Sequence, residues 1–162
     1  MSAPPVRFWN FSLAVYPGSG VKAACLALQD AGLDVNLALW IAWHAAHGRD
    51  ARPGLEAALA LSADWCTRVV KPLRAARDAL KSPPDYVDTD AAAALRKAIL
   101  SAELEAERLQ QMALETVGGA VSGDVDGRVM STAGLEHYAV RLGADAPVRA
   151  FVESVFGALE NV

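Results

Sequence analysis

An all-α fold is the class this sequence predicts, and three observations lead to it. Alanine fills 33 of 162 positions and leucine is the other dominant apolar residue; both are strong helix formers. Runs of alternating β-branched residues, the mark of half-buried strands, are missing. Several segments instead repeat apolar residues every three or four positions, punctuated by Pro, Gly and Asp where helices begin and end. Alanine-rich faces let helix backbones approach closely, so the expectation is a compact single-domain bundle of about six to seven helices.

Residues 1–7 carry two prolines and no apolar period, and are expected to form a flexible arm ahead of one helical domain over 8–162. Phe8, Trp9, Phe11, Leu13, Val15 and Tyr16 hold too much apolar area to stay in water, which predicts a short packed helix. Pro17-Gly18-Ser19-Gly20 is a turn by composition. Val21, Ala24, Cys25 and Leu28 then fall at helical spacing, and Gly32 closes that helix from its C′ position. Asp34 is placed to cap a helix over 35–47 that is apolar nearly all round, as the central element of a bundle must be.

From Leu55, apolar positions step by three or four as far as Leu80, predicting one helix over 54–81. Pro72 lies inside it, removing one backbone hydrogen bond and clashing with the carbonyl four residues back, so a kink is expected between Arg68 and Pro72. Asp90 is positioned to cap a long helix over 91–117, with Leu95, Ile99, Ala102, Ala106, Leu109, Ala113 and Thr116 as its packing seam. Gly118 to Arg128 has the composition of a loop. Ser131 or Thr132 is expected to start the next helix, which ends at Gly143, and Asp145 with Pro147 to open the last.

Composition also narrows the function classes. With 53% hydrophobic and 21% charged residues, the chain can bury a core and is not a disordered segment. No apolar run reaches the roughly 20 residues of a membrane span, and Met1 to Arg7 lacks a signal core, so no membrane association and a cytoplasmic location are expected. Cys25 and Cys66 sit in apolar helical patterns and are expected as reduced thiols.

Two constellations stand out. Asn36, Trp40, Trp43 and His47 share one stripe of the central helix, spanning about 60° at 100° per residue. Two indoles and two polar groups suit a ligand pocket wall, but a filled core with His47 at the helix C-terminus is the favoured reading. Asp30 joins this candidate set because, with Asn36, it flanks the turn at Gly32. The second constellation is basic: Arg68, Lys71, Arg74, Arg77 and Lys81, with Asp78, put +4 on one helix while the rest of the chain sums to −8. Such a face suits an anion, an acidic partner surface or simple solvation. Nucleic acid is not expected, because no base-stacking aromatic follows Trp65 on this helix and the remaining charge repels a polyanion.

Metal and catalytic motifs are incomplete. His44 and His47 lie three apart with no Glu-x-x-His or His-Glu-x-x-His motif, so no metal and no cofactor are expected. The loop at Ser122 to Gly127 has no glutamate at the closing position of a calcium loop, and Gly123 is followed by Asp124 where a phosphate loop needs lysine. Pro17-Gly18-Ser19-Gly20 follows no strand and is not a nucleophile elbow. This favours a binding module over an enzyme.

Phe8-Trp9-Asn10-Phe11-Ser12-Leu13, then Ala24-Cys25-Leu26, Leu28-Gln29-Asp30, Gly32 and Asp34-Val35-Asn36-Leu37, resemble an uncharacterised family of small bacterial helical proteins. Pro72-Leu73-Arg74-Ala75-Ala76-Arg77 and Glu103-Leu104-Glu105-Ala106-Glu107 are similar to its later segments, so the likeness runs from Phe8 to about Leu109. It implies a cytoplasmic all-helical protein and brings no activity. The leading functional expectation is therefore a protein-binding or adaptor module that presents the basic helix or an Ala-rich groove to a protein partner or a second copy of itself. The alternative is a small-molecule-binding protein or enzyme with a pocket around Asn36, Trp40, Trp43 and His47.

Overall fold

A computed structural model describes residues 7–162. The expected arm at residues 1–7 lies, apart from Arg7, outside the described residues. Eight α-helices follow in order: α1 (Phe8–Val15), α2 (Val21–Asp30), α3 (Val35–Ala46), α4 (Leu55–Trp65), α5 (Lys71–Ala79), α6 (Thr89–Glu115), α7 (Gly127–Leu142) and α8 (Val148–Leu159). The fold is all-α and compact, as the composition predicts.

The apolar helix α3 is the centre. All nine residues from Leu37 to Ala45 are buried, and α1, α2, α4, α6, α7 and α8 pack around it. Asp34 caps it as expected, its Oδ1 accepting the Asn36 and Leu37 N–H groups at 2.8 and 3.4 Å, which satisfies two donors that a helix start leaves open. Gly32 closes α2 at φ +95°, a left-handed conformation that glycine adopts without a Cβ clash.

The run expected over 54–81 is continuous but changes helix type. A 3₁₀ turn (Arg52–Gly54) leads into α4, and a π turn (Cys66–Val70) joins α4 to α5. Within that turn the Lys71 N–H donates to the Cys66 carbonyl, five residues back. The wider turn carries the chain past Pro72, which has no N–H to give and would crowd the Arg68 carbonyl in an α register. Counted as one helix, the run brings the total to seven.

Three boundaries and one seam differ from expectation. The cap of α6 is Asp88, whose Oδ2 accepts the Ala91 N–H at 2.8 Å, so Thr89 and Asp90 form the first turn. α7 begins at Gly127, because Asp126 accepts the Arg128 and Val129 N–H groups at 2.9 and 3.1 Å. α8 starts at Val148 after Pro147, and Asp145 gives it no side-chain cap. On α6 the buried residues are Ala92, Glu103, Ala106, Gln110, Gln111 and Leu114, so of the expected seam only Ala106 is buried. The period was right and the phase was not: the buried stripe is turned by about 90° at 100° per residue, with Glu103, Gln110 and Gln111 making up half of it.

One feature of the loop is β structure. β1 (Arg49–Asp50) pairs antiparallel with β2 (Ala120–Val121), Arg49 opposite Val121. Glycine makes this clip close: a Cβ on Gly119 would lie 2.7 Å from the Asp50 carbonyl oxygen, and one on Gly54 would lie 2.6 Å from that of Gly118. Just before the clip, His44 Nε2 lies 3.1 Å from the Val117 carbonyl and ties the end of α6 to α3.

Candidate functional site

The five nominated pocket residues do not share one space. Trp40 is fully buried and meets the His44 ring edge-on at 4.8 Å. Trp43 stacks on Phe8 at 5.5 Å and lies beneath the Arg49 guanidinium, 4.6 Å from its centroid. His47, half-buried at the end of α3, has Nδ1 2.7 Å from the Trp43 carbonyl. Asp30 is exposed at the end of α2. Burial pushes the His44 imidazole down to about 4, with Arg49 next in effect, so His44 is neutral near pH 7 and its N–H donates to Val117. His44 and His47 gather no acidic or thiol ligands: among the described residues no three His, Cys, Asp or Glu side chains form a metal-holding group.

A cavity of about 630 Å³ opens elsewhere, between α1, α2, the start of α3, the π turn and α6. Of the nominated pocket residues only Asn36 lines it. Leu13, Tyr16, Leu26 and Leu104 line it while remaining 45–56% exposed, which makes an apolar rim. Ser12, Asp34, Glu107, Gln110 and Gln111 supply its polar wall, with Arg74 reaching in from α5.

The polar wall is an ordered chain of donors. Gln111 Nε2 donates to Asn36 Oδ1 at 2.9 Å, and Asn36 Nδ2 donates to Gln110 Oε1 at 2.9 Å. Gln110 Nε2 in turn donates to Asp34 Oδ2 at 3.0 Å and Ser62 Oγ at 3.1 Å. An ionised carboxylate only accepts. Asp34 therefore forces the amide of Gln110 to present nitrogen, which forces the orientation of Asn36 and then that of Gln111. The chain ends on an oxygen: Gln111 Oε1 is buried without a partner, as is the Ser12 hydroxyl. Leaving such an atom unpaired costs about 1–3 kcal/mol.

Protonation follows from burial. Glu107 is raised by burial, opposed by Arg74 and reinforced by Glu103 and Asp34. Tyr16 is raised by burial and by its neighbours Cys25 and Glu107. Burial pushes the Cys25 thiol up to about 11; it is protonated near neutrality and is a poor nucleophile. Cys25 and Cys66 are unpaired and both line the cavity. The arrangement can hold a ligand by apolar contact and hydrogen bonds.

Four of the five basic candidates meet carboxylates within the chain. Arg77 Nε lies 2.7 Å from Glu103, whose side chain is 7% exposed, and Arg74 lies 4.0 Å from Glu107. Arg68 pairs with Asp64 and Lys81 with Asp78, each at 2.8 Å, while Lys71 is exposed. The basic stripe thus lies partly against α6, and Arg77 bridges the two helices. Sequence reasoning missed Ser12, Tyr16, Glu107, Gln110 and Gln111. The one signal was the adjacent Gln110-Gln111 pair, which matters only once the phase of α6 is known.

A family described as a protein of unknown function matches residues 7–114, close to the span over which the N-terminal motif predicted a likeness. No curated protein and no solved structure matches the chain.

Proposed function

The chain belongs to the DUF2390 family, and from its geometry we propose that it binds a small, largely apolar molecule in the cavity between α1, α2 and α6. The observation that carries this reading is the coincidence of two features at one place. The cavity has the volume of ligand pockets, about 300–1,000 Å³, and its rim keeps four large apolar side chains in solvent. A filled structural core has no need of either. Cys25 and Cys66, both unpaired, support a reducing, cytoplasmic setting.

Fluorescence titration with the neutral probe N-phenyl-1-naphthylamine tests the reading. Saturable binding at one probe per chain is expected, weakened at least tenfold by Leu26→Trp, which fills the exposed rim without touching the core. Non-saturating fluorescence, or equal binding by the variant, would overturn it.

A protein-binding role is the second reading. It is supported by Leu95 and Leu100, which stand 53% and 44% exposed on α6 and so present apolar area to a partner.

A further inference from the structure

Away from the cavity, one face of α6 has the pattern of a helix-packing surface and carries no helix of its own chain. Leu95, Ala102 and Leu109 of the expected seam are exposed, and Ala91, Ala98 and Met112 continue them at alternating steps of four and three, with Glu105 as the one charged member of the series. This outer stripe is turned by about 120° from the buried one at 100° per residue. It is more than a row of small residues, because Leu95, Leu109 and Met112 stand 53%, 39% and 39% exposed. A heptad series of this length is the pattern by which one helix packs lengthwise on another.

We infer that its occupant is a second copy of this chain, whose α6 lies antiparallel along the first. Charge selects both the partner and the direction. Asp90, Lys97 and Arg108 fall within about 20° of one another on one flank of the stripe, and Glu105 sits at the stripe's edge on the same side. Along the helix from Asp90 through Lys97 and Glu105 to Arg108 the signs alternate. Turning a second α6 end for end, so that Ala98 of each copy meets Ala102 of the other, brings Lys97 to Glu105 and Asp90 to Arg108, each within two residues, about 3 Å, of direct register. Among the described residues neither Asp90 nor Lys97 has an ion-pair partner, and Glu105 pairs with Arg108 at 2.6 Å, so the second copy completes a row of four charges with no like charges opposed. Parallel helices in register would set each of the four against its own kind, which disfavours that pairing. At the crossing, the alanines let the two backbones approach closely. Leu109 of each copy then packs on Ala91 of the other, over a shared length of about 27 Å.

Sedimentation equilibrium of the full chain over a hundredfold range of concentration tests the pairing. A reversible monomer and dimer equilibrium is expected, weakened by added salt as the exposed charges are screened. Ala98→Glu, at an exposed position, should weaken it at least tenfold while thermal unfolding of the dilute protein stays unchanged. Lys97→Glu and Glu105→Lys should each lose self-association, and an equimolar mixture of the two should regain it, because each reversed charge then meets its opposite in the other chain. A native chain that stays monomeric throughout leaves the stripe to a different partner and overturns the proposal, as does a dimer indifferent to Ala98→Glu. A mixture no better associated than its components would overturn the charge pairing. None of these outcomes depends on whether the cavity binds a probe.

Discussion

Helix α3 and the α5–α6 hairpin are built from similar alanine-rich helix formers, yet they are held by different forces. Nine consecutive residues of α3 are buried, whereas α5 has no buried residue and residues 89–105 of α6 contribute only Ala92 and Glu103. Apolar burial, about 25 cal/mol per Å², holds the first. The hairpin has little such area to lose, and it relies on helix propensity and on the Arg77–Glu103 and Arg74–Glu107 contacts, while the Trp65 indole at the end of α4 donates to the Ala106 carbonyl at 2.9 Å and ties α6 to α4. The comparison teaches that high helix propensity does not by itself locate a core. It also explains where the cavity lies: at the seam between the two regions, where α6 passes from one regime to the other and its polar side chains turn inward.

The sharpest way to break this comparison is to empty the centre. Trp40→Ala should cost roughly 3–5 kcal/mol in urea unfolding, because Trp40 is wholly enclosed and the surrounding helices can collapse only in part. A loss under about 1 kcal/mol would place α3 with the surface helices.

Next in size is the response of the centre to acid. His44 titrates near 4 when folded against 6.5 ordinarily, so between those values the unfolded chain takes up a proton that the native state excludes. Stability contributed by neutral His44 is fully present above pH 6.5, falls as the pH drops through that window, and is lost below about 4. The difference is roughly 3 kcal/mol at 1.36 kcal/mol per pH unit. Urea titrations from pH 4 to 7 should show this slope in the native chain and a shallower one in His44→Gln, whose amide can still donate to Val117. Equal slopes would show that His44 is not desolvated.

The smallest effect belongs to the hairpin. Arg77→Ala leaves the Glu103 carboxylate buried without its cation and should cost about 1–2 kcal/mol, less than a fully enclosed pair because Arg77 keeps some solvent contact. Hydrogen exchange should register the loss in α5 and the facing part of α6 before α3 responds. Lys81→Ala, at an exposed pair with Asp78, should leave exchange protection unchanged. If Arg77→Ala and Lys81→Ala behave alike, the Arg77–Glu103 contact contributes nothing to docking of the hairpin.

Much of the architecture was legible because its causes are local. Asp34 capping α3, the apolar girth of that helix, Gly32 ending α2 and an irregularity just before Pro72 each depend on residues within a turn or two. The boundary of α7 was not legible in the same way. Asp126-Gly127 has the composition of a connector; Asp126 caps α7 as Asp34 caps α3, and the absence of a side chain at Gly127 is what lets that helix start lie against α8, where a Cβ would be 2.8 Å from the Phe156 ring. The β1–β2 clip depends on contacts about 70 residues apart between segments too short to show any period.

For the candidate site, residue type and helical face were readable for Asn36 alone. Trp40 and Trp43 suited a core first and a pocket wall second, and the rings of Phe8 and His44 pack against them. By itself the sequence determined the helical class, the central helix and its cap, and the position of the helical irregularity, since propensity, capping and the missing proline N–H act within a few residues. Tertiary structure alone decided which face of α6 turns inward, because Glu103, Gln110 and Gln111 are polar by type and become interior residues only when Arg77, Asn36 and Asp34 arrive from other helices to satisfy them. The cavity was decided with it, because its walls come from α1, α2, α3 and α6, which meet only in the folded chain.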